Sequence, residues 1–503
     1  MSHRLASGPQ HLVMNARLTA PEYPFHATCF GCGCLLGALF FLVSMSPVLL
    51  VAGLTGPALC GILWNRSLPP AFAFSVVFQW VFTVVGLLTY YITGTFPVPV
   101  PCDIGSIELA VLLSQFGLLA LACGLRIGLG HVRPLLAAKP STGTCGNAAV
   151  AQRVAVLCMG LSVTCMFLPA SLFAHSSVSQ FTRRFFGFKD VLLLAAVMYG
   201  LHYRVGAHIL SCALLVAWLP SFLSSQSAFS YLLFALFIIL LDFVPRLQQS
   251  MPHARPPRSR RTAVLVVVAL SVLLIVCGAI WNGGLKGRLR HPTAGLAAQR
   301  GVATRIALFA RTAVESSRTV TFSDGFSGFA ARLSSDVAYF ALVLERVPQV
   351  VPHADGEITL GALRHVLMPR LLFPEKGQLG SDSRMTRRYT GLRVAGEESG
   401  TSIGIGYIGL LFADLGAPLM FLVVLAWGLL LGAMARSILA LAPDRLLANA
   451  ALIVFALDNT TSYGAAVAKL LGANVWSWIA LCFCLYCLRP LLRNLWTPPS
   501  AAA

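Results

Sequence analysis

Eight basic residues crowd one short stretch of this chain: Arg364, His365, Arg370, Lys376, Arg384, Arg387, Arg388 and Arg393. A guanidinium presents a rigid fork of donors and stays charged at any working pH, which suits phosphate oxygens. In "LMPRLLFPEKGQ" (367–378), Pro369 and Pro374 bracket Arg370, and their fixed φ gives that segment a defined backbone. A further basic pair, Arg183 and Arg184, stands in "QFTRRFFGFKD", where Lys189 adjoins Asp190. Cations this dense beside a bilayer suit a lipid-linked diphosphate; a solvated loop held near anionic headgroups is the competing reading. Asp190, Asp414 and Asp458 fall near the ends of apolar runs, where ionisable groups are costly and usually face a protein cavity. Lys189, Asp190 and Lys469 can equally anchor helix ends by snorkelling. The "DGE" of 355–357 offers oxygen ligands to a divalent cation but reads better as a turn, so no metal and no cofactor is expected. Cys29, Cys32 and Cys34 have CxxC spacing without a partner His or second pair, and read as small apolar residues.

The elements that must position these residues are membrane helices. The 503 residues are 57% hydrophobic and 11% charged, with a mean hydropathy of +0.77; a soluble domain is about 25% charged. A chain so poor in charge cannot cover a soluble surface. The net charge of +19 does not point to nucleic acid, because no soluble basic domain carries it. It matches the Lys/Arg excess that holds cytoplasmic loops inside. A spanning helix needs about 20 apolar residues. Twelve runs qualify: 29–46, 48–64, 71–93, 104–125, 154–173, 189–203, 205–223, 229–245, 262–282, 406–434, 446–463 and 475–488. The expected fold is therefore all-α, a polytopic membrane bundle of about twelve spans.

Alternating these spans from a cytoplasmic N-terminus puts 17 Lys/Arg inside, accompanied only by Glu22 and Asp444. "RIGLGHVRPLLAAKP" (126–140) and "RLQQSMPHARPPRSRR" (246–261) both fall inside, as do Arg489 and Arg493. The organisation that follows is a cytoplasmic tail at 1–28, nine spans over 29–282, an outer loop at 283–406, three spans over 407–488 and a cytoplasmic tail at 489–503. Residues 1–26 read as a tail ahead of a signal-anchor helix. The outer loop holds 16 Lys/Arg and ten of the chain's 18 Asp/Glu, a mixture that insertion does not explain. In it, "LAAQRGVATRIALFARTAVESSR" (296–318) reads as an amphipathic helix at the outer interface. "GFAARLSSDVAYFALVLERV" (328–347) reads as a second helix, which "VPHADGE" breaks.

The run "RVPQVVPHADGEITLGALRHVLMPRLLFPEK", followed by "GTSIGIGYIGLLFADLGAPLMF", resembles the bacterial O-antigen and exopolysaccharide repeat-unit polymerases of the Wzy type. These share a helix ending in Val-Pro, a Gly in an extended segment, a "PR…(W/F)P(D/E)K" element and a Gly-rich entry into the next span. The similarity covers about 340–430. "LPSFLSSQSAFSYLLFALFIILLDF" is similar to their middle helices, with Gln226 where the family often has Arg. The resemblance implies a GT-C-like membrane glycosyltransferase at the periplasmic face of the bacterial inner membrane. It would polymerise undecaprenyl-diphosphate-linked oligosaccharide repeat units, in company with membrane lipid, a flippase and a chain-length regulator. Two demands follow: cations for the diphosphate leaving group and a general base for the acceptor hydroxyl. Arg370 matches the family's "PR" element; Arg364, Arg387, Arg388, Arg183 and Arg184 are candidates from residue type alone. His365, His353, Asp336 and Asp414 compete as the base. The other readings are an O-antigen ligase using the same cationic site, a flippase or transporter, and a non-catalytic partner of an assembly complex. Transporter folds often have two similar halves, which this chain lacks.

Overall fold

Apolar length and glycine placement explain most of the architecture. A computed structural model describes residues 23–65, 68–132, 148–167, 185, 187–203, 311, 314–315, 322–368, 373, 375, 381–396, 402–460 and 462–496, and the regular structure among them is helical throughout. The first six helices are α1 (Tyr23–Ser44), α2 (Pro47–Leu63), α3 (Ala71–Thr93), α4 (Ile104–Leu129), α5 (Ala148–Phe167) and α6 (Phe188–Tyr203). Seven more follow: α7 (Phe322–Arg346), α8 (Glu357–Leu367), α9 (Asp382–Thr390), α10 (Tyr407–Leu415), α11 (Ala417–Leu441), α12 (Arg445–Thr460) and α13 (Val467–Trp496). Among the described residues, five stretches are long and apolar enough to cross a membrane: His26–Ser44, Ala71–Thr93, Ile104–Leu129, Ala417–Leu441 and Val467–Leu492. Pro47–Leu63 and Val150–Ser162 are shorter apolar helices. The spans expected at 205–223, 229–245 and 262–282 lie outside the described residues, as does most of 296–318.

Local signals set the helix ends. Gly94, at φ 74, closes α3 by donating its N–H to the Tyr90 carbonyl at 2.8 Å. Asp103 opens α4, its carboxylate accepting the Gly105 N–H at 2.9 Å. Between helices, glycines decide how close the axes come. Gly124 and Gly128 of α4 face Gly428 and Gly432 of α11, and a Cβ on any of the four would run into backbone of the opposite helix. This reciprocal small-xxx-small seam lets two spans touch backbone to backbone. Residue numbers rise together along the seam, so α4 and α11 are parallel.

α6 and α12 are apolar all round and buried nearly all round, with 191–200 and 446–457 shielded throughout. They form the centre of the bundle. α7 comes from the stretch expected as an outer loop, yet its buried face (Leu333, Val337, Phe340, Ala341) packs against α3 and α4. Ser334 lies against Gly86 of α3, and Glu345 accepts the Asp103 N–H of α4 at 2.8 Å. The expected span 406–434 is broken. Gly416, at φ 75, separates the nine-residue α10 from α11. α10 packs on the middle of α3 and α4, through Tyr407 to Gln79 and Ile408 to Gly117. Non-helical backbone at such a break is tolerated where it is buried in protein or lines a cavity.

Candidate functional site

Alternation on α7 buries Leu333, Phe340 and Val343, and it carries Asp336 inward with them. Asp336 is 3% exposed. Its Oδ2 is shielded from solvent and has no hydrogen-bond partner. Its Oδ1 is 3.8 Å from Nη1 of Arg332, one turn earlier and half exposed. Opposite the carboxylate is bare backbone: a Cβ on Gly464 would come 2.5 Å from Oδ2 and 2.7 Å from Cγ. Burial lifts the Asp336 carboxyl to about 6, with Arg332 pulling the other way. A carboxylate so placed is poised to accept a proton near neutral pH.

The glycine under Asp336 belongs to a turn at 463–465, which the non-helical segment 402–406 crosses. A Cβ on Gly404 would meet the Gly464 carbonyl at 2.5 Å, and Gly406 (φ 93) passes under Tyr463. Tyr463 exchanges a 2.6 Å hydrogen bond with Ser114 of α4, and the Tyr407 hydroxyl donates to Gln79 of α3 at 3.0 Å. These bonds fix the crossing to the spans. On its other side the crossing is strapped to α9. Ser383 accepts the Ile403 N–H at 3.0 Å, and Thr386 donates to the Ile403 carbonyl at 2.8 Å. Lys469, at the start of α13, donates to Asp382 at 2.5 Å and to Ser402 at 2.7 Å, while Ser402 donates to Asp382 at 2.9 Å. The polar network thus ties α9 and α13 to the crossing under Asp336, whose Oδ2 has no hydrogen-bond partner.

The remaining candidates divide. Asp414 is fully buried and serves the N-terminus of α8: it accepts the N–H groups of Gly356, Ile358 and Thr359 at 2.9–3.1 Å and the Thr359 hydroxyl at 2.6 Å. This is a capping arrangement, and it occupies both oxygens. His353 sits 3.0 Å from the Phe412 carbonyl through Nδ1 and edge-on to the Phe412 ring, at the α10–α11 break. Arg364 is exposed and His365 half-buried on α8, which packs on α13. Arg387 and Arg388 are exposed on the last turn of α9. α9 packs along α7, and its C-terminal glycine meets Arg346 at the far end of α7 from Asp336. The two arginines therefore do not gather at Asp336. Arg370, Lys376, Arg183 and Arg184 lie outside the described residues.

Residue type alone passed over Arg332, Gly464 and the Tyr463–Ser114 bond. Arg332 is legible afterwards as the i−4 partner of Asp336. Gly464 carried no signal, because its role is set by a segment sixty residues earlier.

A helical bundle with five apolar helices of spanning length among the described residues, and a broken helix, is a membrane-embedded protein of the all-α class. The chain belongs to the family described as Domain of unknown function (DUF8712), which matches residues 131–492. No curated protein matches the chain. No solved structure matches it either.

Proposed function

We propose that this protein is a membrane glycosyltransferase that polymerises undecaprenyl-diphosphate-linked oligosaccharide repeat units at the periplasmic face of the bacterial inner membrane. In this reading the bundle has about twelve spans, with both termini cytoplasmic. The observation that carries it is Asp336: a buried carboxylate with one oxygen lacking a hydrogen-bond partner, pressed against Gly464 in a membrane bundle and 3.8 Å from Arg332. The resemblance of 340–430 to Wzy-type polymerases supplies the substrate class.

The chemistry asks little of the protein. The acceptor hydroxyl attacks the anomeric carbon of the donor glycan. Its proton passes to the Asp336 carboxylate, and the bond from the anomeric carbon to the diphosphate oxygen breaks. Negative charge then grows on the leaving diphosphate, where arginine forks stabilise it. Arg332, beside Asp336, is the described cation nearest that centre, and Arg370 is the one the sequence resemblance assigns.

The test is complementation of a deletion strain, read as the size distribution of surface glycan. The wild-type chain should restore a ladder of polymer lengths, whereas Asp336→Asn and Arg370→Ala should leave single repeat units. A full ladder from Asp336→Asn sinks the assignment of the base. Lipid-linked units trapped on the cytoplasmic side in the deletion strain would make the protein a flippase. Preformed polymer left on its lipid would make it a ligase.

A further inference from the structure

α8 comes from the stretch expected as an outer loop, yet it carries apolar residues on both faces. Ala362 and Val366 are buried, and Val366 Cγ2 would stand 3.6 Å from a Cβ on Gly472 of α13. The opposite face holds Leu360, Leu363 and Leu367, at the i, i+3, i+7 spacing of one helical stripe. They are 64%, 40% and 73% exposed. A Cβ on Gly361, beside the stripe, would meet nothing within 4 Å. Two exposed charges edge the same face, Glu357 in the first turn and Arg364 in the last. A helix of eleven residues is marginal on its own, so α8 is held by what it touches.

Where it is held shows what covers the stripe. The start of α8 is bonded to Asp414, two residues before Gly416 and the beginning of the α11 span. Its last turn rests at Gly472, five residues inside the apolar span Val467–Leu492. α8 therefore runs along the level at which two spans begin, which is the edge of a bilayer. In the first turns of α11, Leu422 is 61% exposed, as a residue facing acyl chains is in the bare protein. The leucines of α8 repeat that pattern at the same level. Arg364 has a stem long enough to lift its guanidinium to the headgroups while the leucines stay below. A second copy of the chain is the weaker occupant, because three leucines fall far short of the about 800 Å² per partner that a stable interface buries.

We propose that α8 is set into the bilayer interface, with Leu360, Leu363 and Leu367 among phospholipid acyl chains and Arg364 at the headgroups. This does not rest on the glycosyl-transfer reading. The test uses the full, unaltered chain in phosphatidylcholine liposomes that contain a phosphatidylcholine with a diazirine within its acyl chain. After photolysis, mass spectrometry should find lipid adducts in 357–368 and in 417–430 of α11. The peptide 382–390 of α9, whose exposed residues include Arg384, Arg387 and Arg388, should carry none. Adducts in 417–430 without any in 357–368 overturn the proposal. A second measurement uses single spin labels at Leu363→Cys and Leu367→Cys, in a background stripped of native cysteines. Both labels should collide with oxygen more than with an aqueous nickel chelate, as at Leu422→Cys, and Arg387→Cys should show the reverse. A label at 363 that favours the chelate puts water on this face and overturns the proposal. A label shielded from both reagents puts protein there, and also overturns it. Should the cysteine-free background fail to fold, the photolabelling of the native chain decides alone.

Discussion

Two buried aspartates, read alike from sequence, behave as opposites. Asp414 has every oxygen engaged by α8, so Asp414→Ala should uncap that helix and lower stability by about 3 kcal/mol, measured by denaturation in detergent. Asp336 has an unpaired oxygen and a carboxyl raised from 3.8 to about 6. A raised acid favours the folded state when protonated. Its stabilising share is complete below about pH 4 and is lost as pH climbs to 6. At pH 7 the ionised form costs about 3 kcal/mol by the same linkage. Asp336→Asn should therefore melt no lower than wild type while losing glycan transfer, a pairing expected of a functional residue and not of a structural one. For the same reason, transfer by the wild type should fall as pH drops through 6, because the protonated carboxyl accepts no proton. A pH-independent rate between 5 and 7 would speak against Asp336 as base.

Among the elements, the α4–α11 seam tolerates least. Gly428 faces the Leu121 carbonyl and Gly432 the Leu125 carbonyl, and backbone atoms cannot swing aside as a side chain can. Gly428→Leu should separate the two spans and cost at least about 3 kcal/mol, the upper range for overpacking. Loss of monodisperse protein in size-exclusion chromatography would register it. Gly160, with nothing within 4 Å of its would-be Cβ, is the internal control: Gly160→Leu should leave the elution profile unchanged. The same glycines show where sequence reading stops. A GxxxG pair is visible in each helix, but which helix it meets depends on a span some three hundred residues away.

At the scale of the molecule, the parallel α4 and α11 fix which surfaces share a side. The Gly94–Asp103 turn, joined to α7 by Glu345, lies at the starts of both helices' common direction, and the turn after α11 at Pro443 lies at the opposite end. Single cysteines at Thr95 and Pro443, in a background stripped of native cysteines, should react on opposite sides with a membrane-impermeant maleimide. Thr95 should label in intact cells and Pro443 only after permeabilisation, as the basic inner loops require. The reverse pattern would turn the cationic face to the cytosol and remove the periplasmic reaction.

Composition alone determined that this chain lives among membrane helices, because 11% charge cannot clothe a soluble surface, and twenty-residue apolar runs have few other uses. Residue type also marked the basic stretch and included Asp336 among four possible bases. Sequence left those four level, since a carboxylate's role depends on what fills its lone pairs, and that is settled by distant segments. It did not show that α7 wedges against α3 and α4, that Gly416 breaks a long apolar run, or that Gly464 lies under Asp336. Those facts are contacts between residues far apart in the chain, and only the packed bundle brings them into being.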